Sequence, residues 1–402
     1  MTDIQSRNGD VEGAPDVAYG RLMAASAVGM IVFGASVAIP SVCLEAIGRE
    51  FGLNFEQRGL LTTARMAALL ASLLTVGYLG DRLGKRHFLF WGGVLIAAGQ
   101  AATARAGGYG ALLGGNAVSG LGKGVMEALV NPLVAQLNPH RSARVLNVIN
   151  GLFSVGLVLA ALTTGEVLQA GKSWRVPFWL WVPPALVCAG LCLTRRYPTV
   201  EAAQREAGRP GRFLRNPLFW PLLVGMVLGG GCEAGLTSWG PNFVEHELGA
   251  SARSGAWAMV LFGTFMAGGR FTGSGLVALV TPVRMMMVSA AACGLATVGL
   301  CFVDGLWGAW VLFALGGLFV ACFWPTILAV ASDNIAAGSA ALFAVLAAGG
   351  IGGCVVLPWA IGVLADAFGL RGGIVLLPAS MAVQVAVLAA ASRMIARRDG
   401  TR

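Results

Sequence analysis

The segment Gly77-Tyr-Leu-Gly80-Asp81-Arg82-Leu-Gly84-Lys85-Arg86 lies between two long apolar stretches of the sequence. Its glycines at positions 80 and 84 permit a tight turn and the close approach of a neighbouring helix. The aspartate can accept hydrogen bonds from helix N-termini and pair with arginine. The three basic residues would anchor the segment on one side of a membrane. An ordinary basic loop is the alternative, but the position and spacing favour a specialised one.

The composition of the chain is that of a membrane protein. Of its 402 residues, 56% are hydrophobic and only 12% are charged, and the mean hydropathy is +0.74. A soluble domain has about 25% charged residues. The 58 glycines suit transmembrane helices that pack backbone to backbone.

Apolar stretches long enough to cross a bilayer, which takes about 20 residues, recur along the whole chain. We expect spans at 22–46, 60–79, 88–104, 110–135, 145–170, 176–194, 219–243, 256–279, 285–303, 306–331, 340–367 and 373–395. The sequence therefore predicts an all-α membrane protein with twelve transmembrane helices in two pseudo-symmetric six-helix bundles. The first twenty residues lack the basic start and cleavage site of a signal peptide, so we expect the first span to remain in the mature protein.

The second six spans resemble the first six. Asn131-Pro132-Leu133 in span four and Trp324-Pro325-Thr326 in span ten stand at an offset of about 195 residues, and the glycine-rich ends of spans five and eleven repeat that offset. Such duplication implies a central cavity near the membrane midplane, about which the halves rock. We expect a cytoplasmic tail at 1–20, bundles at 21–194 and 218–395, a cytoplasmic linker at 195–217 and a tail at 396–402.

Charge and cysteine content narrow the function further. Most of the 28 Lys and Arg residues fall in segments on the same face of the membrane as the N-terminus. Since such segments are normally cytoplasmic, we expect both termini in the cytoplasm of a bacterial inner membrane. No basic soluble domain is available for a nucleic-acid partner. The eight cysteines lie inside apolar spans without metal-ligand spacing, so we expect packing roles, no metal and no cofactor. We find no nucleophile–base pair or nucleotide motif, and we expect no enzyme.

The segment quoted first resembles the signature loop of the major facilitator superfamily. In that superfamily the loop is a gate latch that holds the outward-facing state. The resemblance implies that role for the residues of the motif, namely Gly77, Gly80, Asp81, Arg82, Gly84, Lys85 and Arg86. A degraded copy, Gly269-Arg270-Phe-Thr-Gly273, stands at the end of span eight, where the duplication predicts it.

Motifs in five spans look like the fucose permease-like branch, which includes sugar:proton symporters. They begin at Gly120 in span four, Leu146 in span five, Gly231 in span seven, Gly317 in span ten and Gly349 in span eleven. The fucose permeases carry an aspartate in their first span that works with a glutamate in span four. Residues 35–41 of this chain contain no acid, and Glu45 lies near the outer end, so two-carboxylate coupling and sugar identity stay open.

Glu127 is the main candidate for proton coupling. A carboxylate in a membrane span costs at least roughly 2.5 kcal/mol on insertion scales, so it is a functional candidate by default. Helical spacing puts Lys123, Glu127 and Asn131 on one face. The glutamate at this position in the fucose permeases takes part in proton coupling, and Glu127 matches it. A structural ion pair with Lys123 is the alternative.

Further residues are candidates for substrate binding. Amides suit sugars because they offer a donor and an acceptor to paired hydroxyls, and Asn150 matches a sugar-contacting amide of the branch. Glu233 could accept hydrogen bonds from the substrate or pair with a neighbouring helix. The remaining candidates are two amides in spans four and five, one amide in span seven and aromatic side chains that could stack on a sugar, namely Asn131, Asn147, Asn242, Trp239, Phe323, Trp324 and Trp359.

Three functions remain open at this point. The first is a monomeric, proton-coupled importer of a monosaccharide or related polar solute. The second is an exporter of amphipathic compounds, or a transporter of an organic anion that uses Lys123 and Arg65. The third is a non-transporting sensor on a transporter scaffold, which no feature of the sequence favours.

Overall fold

The computed structural model describes residues 17–83, 85–139, 141–198, 212–276, 280–335 and 340–399. Its helices are α1 (Tyr19–Val42), α2 (Leu44–Phe51), α3 (Phe55–Leu83), α4 (Lys85–Ala104), α5 (Tyr109–Leu137), α6 (Ser142–Gln169), α7 (Arg175–Leu180), α8 (Val182–Leu191), α9 (Phe219–His246), α10 (Ala252–Leu276), α11 (Pro282–Phe302), α12 (Leu306–Val320), α13 (Phe323–Asn334), α14 (Ala340–Ile374) and α15 (Leu376–Asp399). A short 3₁₀ turn, Arg212–Arg215, precedes α9.

These helices form the predicted twelve spans in two six-helix bundles. Eight helical segments in the described part of the chain are long and apolar enough to cross a membrane by length and composition alone. The other four spans fall on α4, α5, α10 and the α7–α8 pair. Span six is divided at Trp181, just before two prolines that cannot donate a backbone hydrogen bond. Span ten is divided in the same way, two residues before Phe323-Trp-Pro325.

In each half, glycines bring two helices into backbone contact, and the pair is the equivalent one in both halves. In the first half, a Cβ added to Gly34 of α1 or Gly156 of α6 would collide with a backbone carbonyl of the other helix. In the second half, Gly230 of α9 and Gly353 of α14 are constrained in the same way. The two halves therefore share a packing device as well as a helix order, in agreement with the duplication inferred from the sequence.

The two halves meet closely at one end of the molecule, which we call the sealed end. It is formed by α2, the first turns of α3 and α10, and the last turns of α6, α9 and α14. At this end Gly59 of α3 lies against the carbonyl of Pro358 in α14. About five helical turns further along α3, a Cβ on Gly77 would meet no atom of the described residues within 4 Å. The helices α3 and α14 thus pack together at the sealed end, while α3 is uncovered at Gly77.

An aspartate from one half caps a helix of the other half at the sealed end. Asp366 of α14 accepts hydrogen bonds from the backbone N–H groups of Phe55 (2.7 Å) and Glu56 (2.9 Å) at the start of α3. Asn54 and Gln57 complete the cap by bonding each other's backbone N–H groups. A negative charge at a helix N-terminus also interacts favourably with the helix dipole. Asp366 therefore stabilises the arrangement in which the halves touch here.

We predict that Asp366→Ala loosens the sealed end. The substitution removes two acceptors from the first turn of α3, and the loss of such a cap costs about 0.5–2 kcal/mol. Hydrogen–deuterium exchange of a peptide that covers residues 53–62 should become faster. Asp304→Ala is the matched control, because Asp304 is 88% exposed and its ion pair with Arg371 lies within the second half. Equal exchange in wild type and Asp366→Ala would contradict the capping role.

Candidate functional site

Five charged side chains converge between the two halves. Arg65 comes from α3, Lys123 and Glu127 from α5, Glu233 from α9 and Arg270 from α10. Each belongs to a largely apolar helix, and a charge in such a helix is expected to face protein or water rather than lipid. We call this set the central charge cluster.

Lys123 is completely buried. Its Nζ has no hydrogen-bond partner among the described residues and lies 5.0 Å from the ring centroid of Phe33 on α1. An ammonium above an aromatic face is attracted by the negative face of the ring. Lys123 also interacts electrostatically with Arg65, with Glu127 and with the thiol of Cys354 on α14.

Glu127 lies one helical turn beyond Lys123 and is partly exposed. It interacts electrostatically with Lys123 on its own helix and with Arg270 and Glu233 of the other half. Because both of those partners belong to the opposite bundle, the carboxylate faces across the centre of the molecule. Proton coupling by Glu127 stays a prediction, but the side chain is placed where that role requires it.

Glu233 and Arg270 form an ion pair between α9 and α10, with 3.9 Å between Oε1 of the glutamate and Nη2 of the arginine. The second oxygen, Oε2, is buried and has no hydrogen-bond partner among the described residues. The side chain of Trp324 on α13 also forms a hydrogen bond with this carboxylate. Glu233 is thus both paired to a neighbouring helix, as one interpretation of the sequence expected, and left with a free acceptor.

Among the described residues, Arg65 makes long hydrogen bonds to neutral groups. It is 1% exposed, and its Nη1 and Nη2 lie 3.5 Å from oxygens of Asn116 and Thr62. Its Nε has no hydrogen-bond partner among the residues described. Pairing with a carboxylate would be an alternative to anion binding for Arg65, but its hydrogen-bond partners here are the neutral Asn116 and Thr62.

The predicted amides are only partly available for a substrate. Nδ2 of Asn150 donates to Oδ1 of Asn131 (3.1 Å) and to the carbonyl of Leu146 (2.9 Å), so the two amides bond each other. This contact joins α5 to α6 close to the central charge cluster. The side chain of Asn147 lies outside the described residues.

Four other predicted substrate contacts interact with protein groups in this structure, and their role in binding stays a prediction. Trp239 and Phe323 are buried, and the Trp239 indole donates to the carbonyl of Pro358 (3.0 Å). Asn242 is buried at the sealed end, and Trp359 is 38% exposed there with its indole donating to Glu56. Trp239, Asn242 and Trp359 are on helix turns that form the contact between the halves, whereas Phe323 packs against Gly229 of α9 within the second half. Trp324 remains beside the cluster.

The gate motif spans the end of α3 and the start of α4. The side chains of Asp81 and Arg82, the surroundings of Gly80 and all of Gly84 lie outside what the structure describes. Lys85 is buried and donates to Gln136 of α5 (2.6 Å), so it ties α4 to α5. The latch role of the motif, including Arg86, stays a prediction.

Glu45 is a site residue that the sequence interpretation set aside. It is 3% exposed and accepts hydrogen bonds from Arg49 (2.7 Å), Arg58 (2.6 Å) and Nδ2 of Asn242 in the other half (2.7 Å). The spacing of Glu45 and Arg49 at i and i+4 was a readable signal for part of this cluster. The contact with Asn242 crosses the halves and has no local signature.

The comparison with known families decides the class. The family described as Major Facilitator Superfamily matches residues 24–356. The chain belongs to the major facilitator superfamily. The match confirms the superfamily indicated by the segment at Gly77 and the all-helical membrane fold.

Individual relatives are distant. The Escherichia coli (strain K12) protein named putative uncharacterized transporter YgaY is 29% identical over 160 residues, which is 40% of each chain. The cis,cis-muconate transport protein of Acinetobacter baylyi is 23% identical over 265 residues, or 60% of this chain and 63% of that protein. The solved D-xylose-proton symporter has a TM-score of 0.77 at 16% identity, covering 92% of this chain and 97% of its own, and shows that the superfamily fold is shared.

We predict that Glu45→Gln destabilises the protein strongly. Arg58 is 7% exposed and would lose its charged partner, and breaking a buried ion pair in this way costs about 3–5 kcal/mol. The apparent melting temperature of the purified protein in detergent measures the loss.

Glu50→Gln is the matched control on the same helix. Glu50 is 40% exposed, and hydrogen bonds from Arg175 lower the pKa of its carboxyl below the ordinary value. An exposed pair of this kind contributes at most about 1 kcal/mol. Similar small decreases in melting temperature for both variants would show that the ion pairs of Glu45 do not stabilise the protein.

Proposed function

We propose that this superfamily member is a secondary active transporter that moves a small polar solute by proton-coupled alternating access. The observation that carries the proposal is the approach of two carboxylates from opposite halves, Glu127 of α5 and Glu233 of α9. Arg270 of α10 interacts with both of them. When the halves rock, the electrostatic partners of both carboxylates change. A change of that kind is what links a protonation state to a conformation.

The charge distribution gives the orientation that we propose. The excess of Lys and Arg on the N-terminal side places both termini in the cytoplasm of a bacterial inner membrane. In that orientation the sealed end faces outward, and the end that includes Gly77 faces the cytoplasm. The structure then corresponds to an inward-facing state. The central charge cluster is built from one chain, which is consistent with a monomer.

Proton carriage by Glu127 follows from its surroundings. A deprotonated Glu127 is attracted to Lys123 and Arg270, and a protonated one leaves both cations without that partner. Binding or release of the proton therefore changes the force that holds α5 of one half near α10 of the other. The fucose permease-like motif at Glu127 supports the same assignment.

A monosaccharide or related compound is the solute that the amides and Trp324 support. Asn131 and Asn150 can exchange their mutual hydrogen bond for hydroxyl groups, and an indole can stack on the apolar face of a sugar ring. The related fold of a D-xylose-proton symporter agrees with this class. The surplus of positive charge in the cluster favours, as a second candidate, a solute that carries negative charge.

We predict that Glu127→Gln abolishes accumulation driven by a pH gradient and preserves exchange of the solute at equal concentrations. The amide cannot carry the proton, whereas the halves can still rock around bound solute. Proteoliposomes would be tested with labelled D-xylose, D-glucose, myo-inositol, D-gluconate and cis,cis-muconate. Glu50→Gln is the control, because Glu50 is exposed and pairs within the first half. Accumulation by Glu127→Gln at the wild-type level would contradict the assignment.

A further inference from the structure

Two buried cations lie together in the first half and have one neighbouring anion between them, Glu127. Arg65 on α3 and Lys123 on α5 are 1% and 0% exposed, and they act on each other electrostatically. Nζ of Lys123 and Nε of Arg65 have no hydrogen-bond partner among the described residues. The other contacts of Arg65 are the long ones to Asn116 and Thr62.

The charges of the cluster do not balance. Arg65, Lys123 and Arg270 provide three positive charges, and Glu127 and Glu233 provide two negative ones. Glu233 already pairs with Arg270, so Glu127 is the acid left for the two remaining cations. If Glu127 takes a proton, both of them are uncompensated. Uncompensated buried charge is costly, so such a group is either matched by a counterion or, as a lysine can, gives up its proton.

The helices that surround Lys123 do not provide this counterion. The groups that face it are Phe33 on α1, Arg65 on α3, Glu127 on its own helix and Cys354 on α14. Residues 35–41, which continue α1, contain no acid. When both cations are charged and Glu127 is protonated, a negative group from outside the described residues would balance them.

We propose that the transported solute carries a carboxylate and that Lys123 and Arg65 bind it. This inference rests on the proposed transport function and narrows its substrate to an organic anion, with hydroxyl groups where Asn131 and Asn150 can reach them. The ring of Phe33 covers Lys123 in the present conformation. A carboxylate can take the place of the ring, because a charge-assisted hydrogen bond is stronger than a cation–π contact.

The same geometry explains how proton and solute are linked. The charged groups that act on Glu127 are Lys123 from α5, Arg270 from α10 and Glu233 from α9. When Glu127 is deprotonated, it competes with the carboxylate of the solute for Lys123. When Glu127 is protonated, Lys123 is free for the solute. One proton then accompanies one monocarboxylate, so the transported pair has no net charge.

Thermal shift of the purified full chain in detergent tests the site. The probes are D-glucuronate with D-glucose, D-gluconate with D-sorbitol, and L-lactate with 1,2-propanediol, each at a millimolar concentration, together with cis,cis-muconate. At least one carboxylate should raise the melting temperature by several degrees at pH 6 and by less at pH 8, while its uncharged partner should not. In Glu127→Gln the shift should be the same at both pH values.

Variants separate binding from folding. Lys123→Gln should abolish the carboxylate shift, Lys123→Arg should restore part of it, and Lys172→Gln on the exposed surface should leave it unchanged. The melting temperature without ligand and the gel-filtration profile show whether each variant is folded. If Lys123→Gln does not fold, the comparison of charged and uncharged probes on the wild type still decides the question.

Several outcomes would overturn the proposal. These are no rise in melting temperature with any carboxylate of the panel, equal rises with the uncharged partners, or a rise that is still seen in Lys123→Gln. Uptake in proteoliposomes distinguishes this failure from failure of the transport proposal. Proton-driven accumulation of an uncharged solute alone would support the proposed function and refute the carboxylate site. Binding that depends on Lys123, without proton-driven accumulation, would support the site and refute proton coupling.

Discussion

A charged side chain in an apolar helix must find protein or water, and this constraint organises the molecule. Arg65, Lys123, Glu127, Glu233 and Arg270 lie in apolar stretches of helices that otherwise suit lipid. Their only favourable position is the contact region between the two bundles. The helices are therefore oriented about their own axes by these charges, and the centre of the molecule becomes polar.

Glycine contacts allow the bundles to move as units around that centre. Each half has a pair of helices in backbone contact, through Gly34 and Gly156 in one case and Gly230 and Gly353 in the other. Interfaces of this kind are tightly packed and tolerate little internal change. The contacts between the halves at the sealed end are of both types. Gly59 of α3 lies against the carbonyl of Pro358 in α14, and Glu45 accepts a hydrogen bond from Asn242; the polar contacts can be exchanged for water.

Much of the architecture was predictable because its signals are local. Apolar length gave the spans, the duplicated prolines gave the two halves, and helical spacing placed Lys123 and Glu127 on one face. The positions of Trp239, Asn242 and Trp359 were not predictable, because a motif does not show which helix turns touch the other half. The same limit applies to Asp366, whose partners at Phe55 and Glu56 are about 310 residues away in sequence.

Exposure of Glu127 to a water-filled centre is the claim on which the proton-coupled account depends. It can be measured by replacing Glu127 with cysteine in a variant whose eight native cysteines are changed to serine or alanine. A membrane-impermeant thiol reagent is then applied to either face of sealed vesicles. The account predicts reaction from the face that includes Gly77 and protection from the sealed end. Reaction with a lipid-soluble reagent alone would place the residue against the acyl chains and contradict the account.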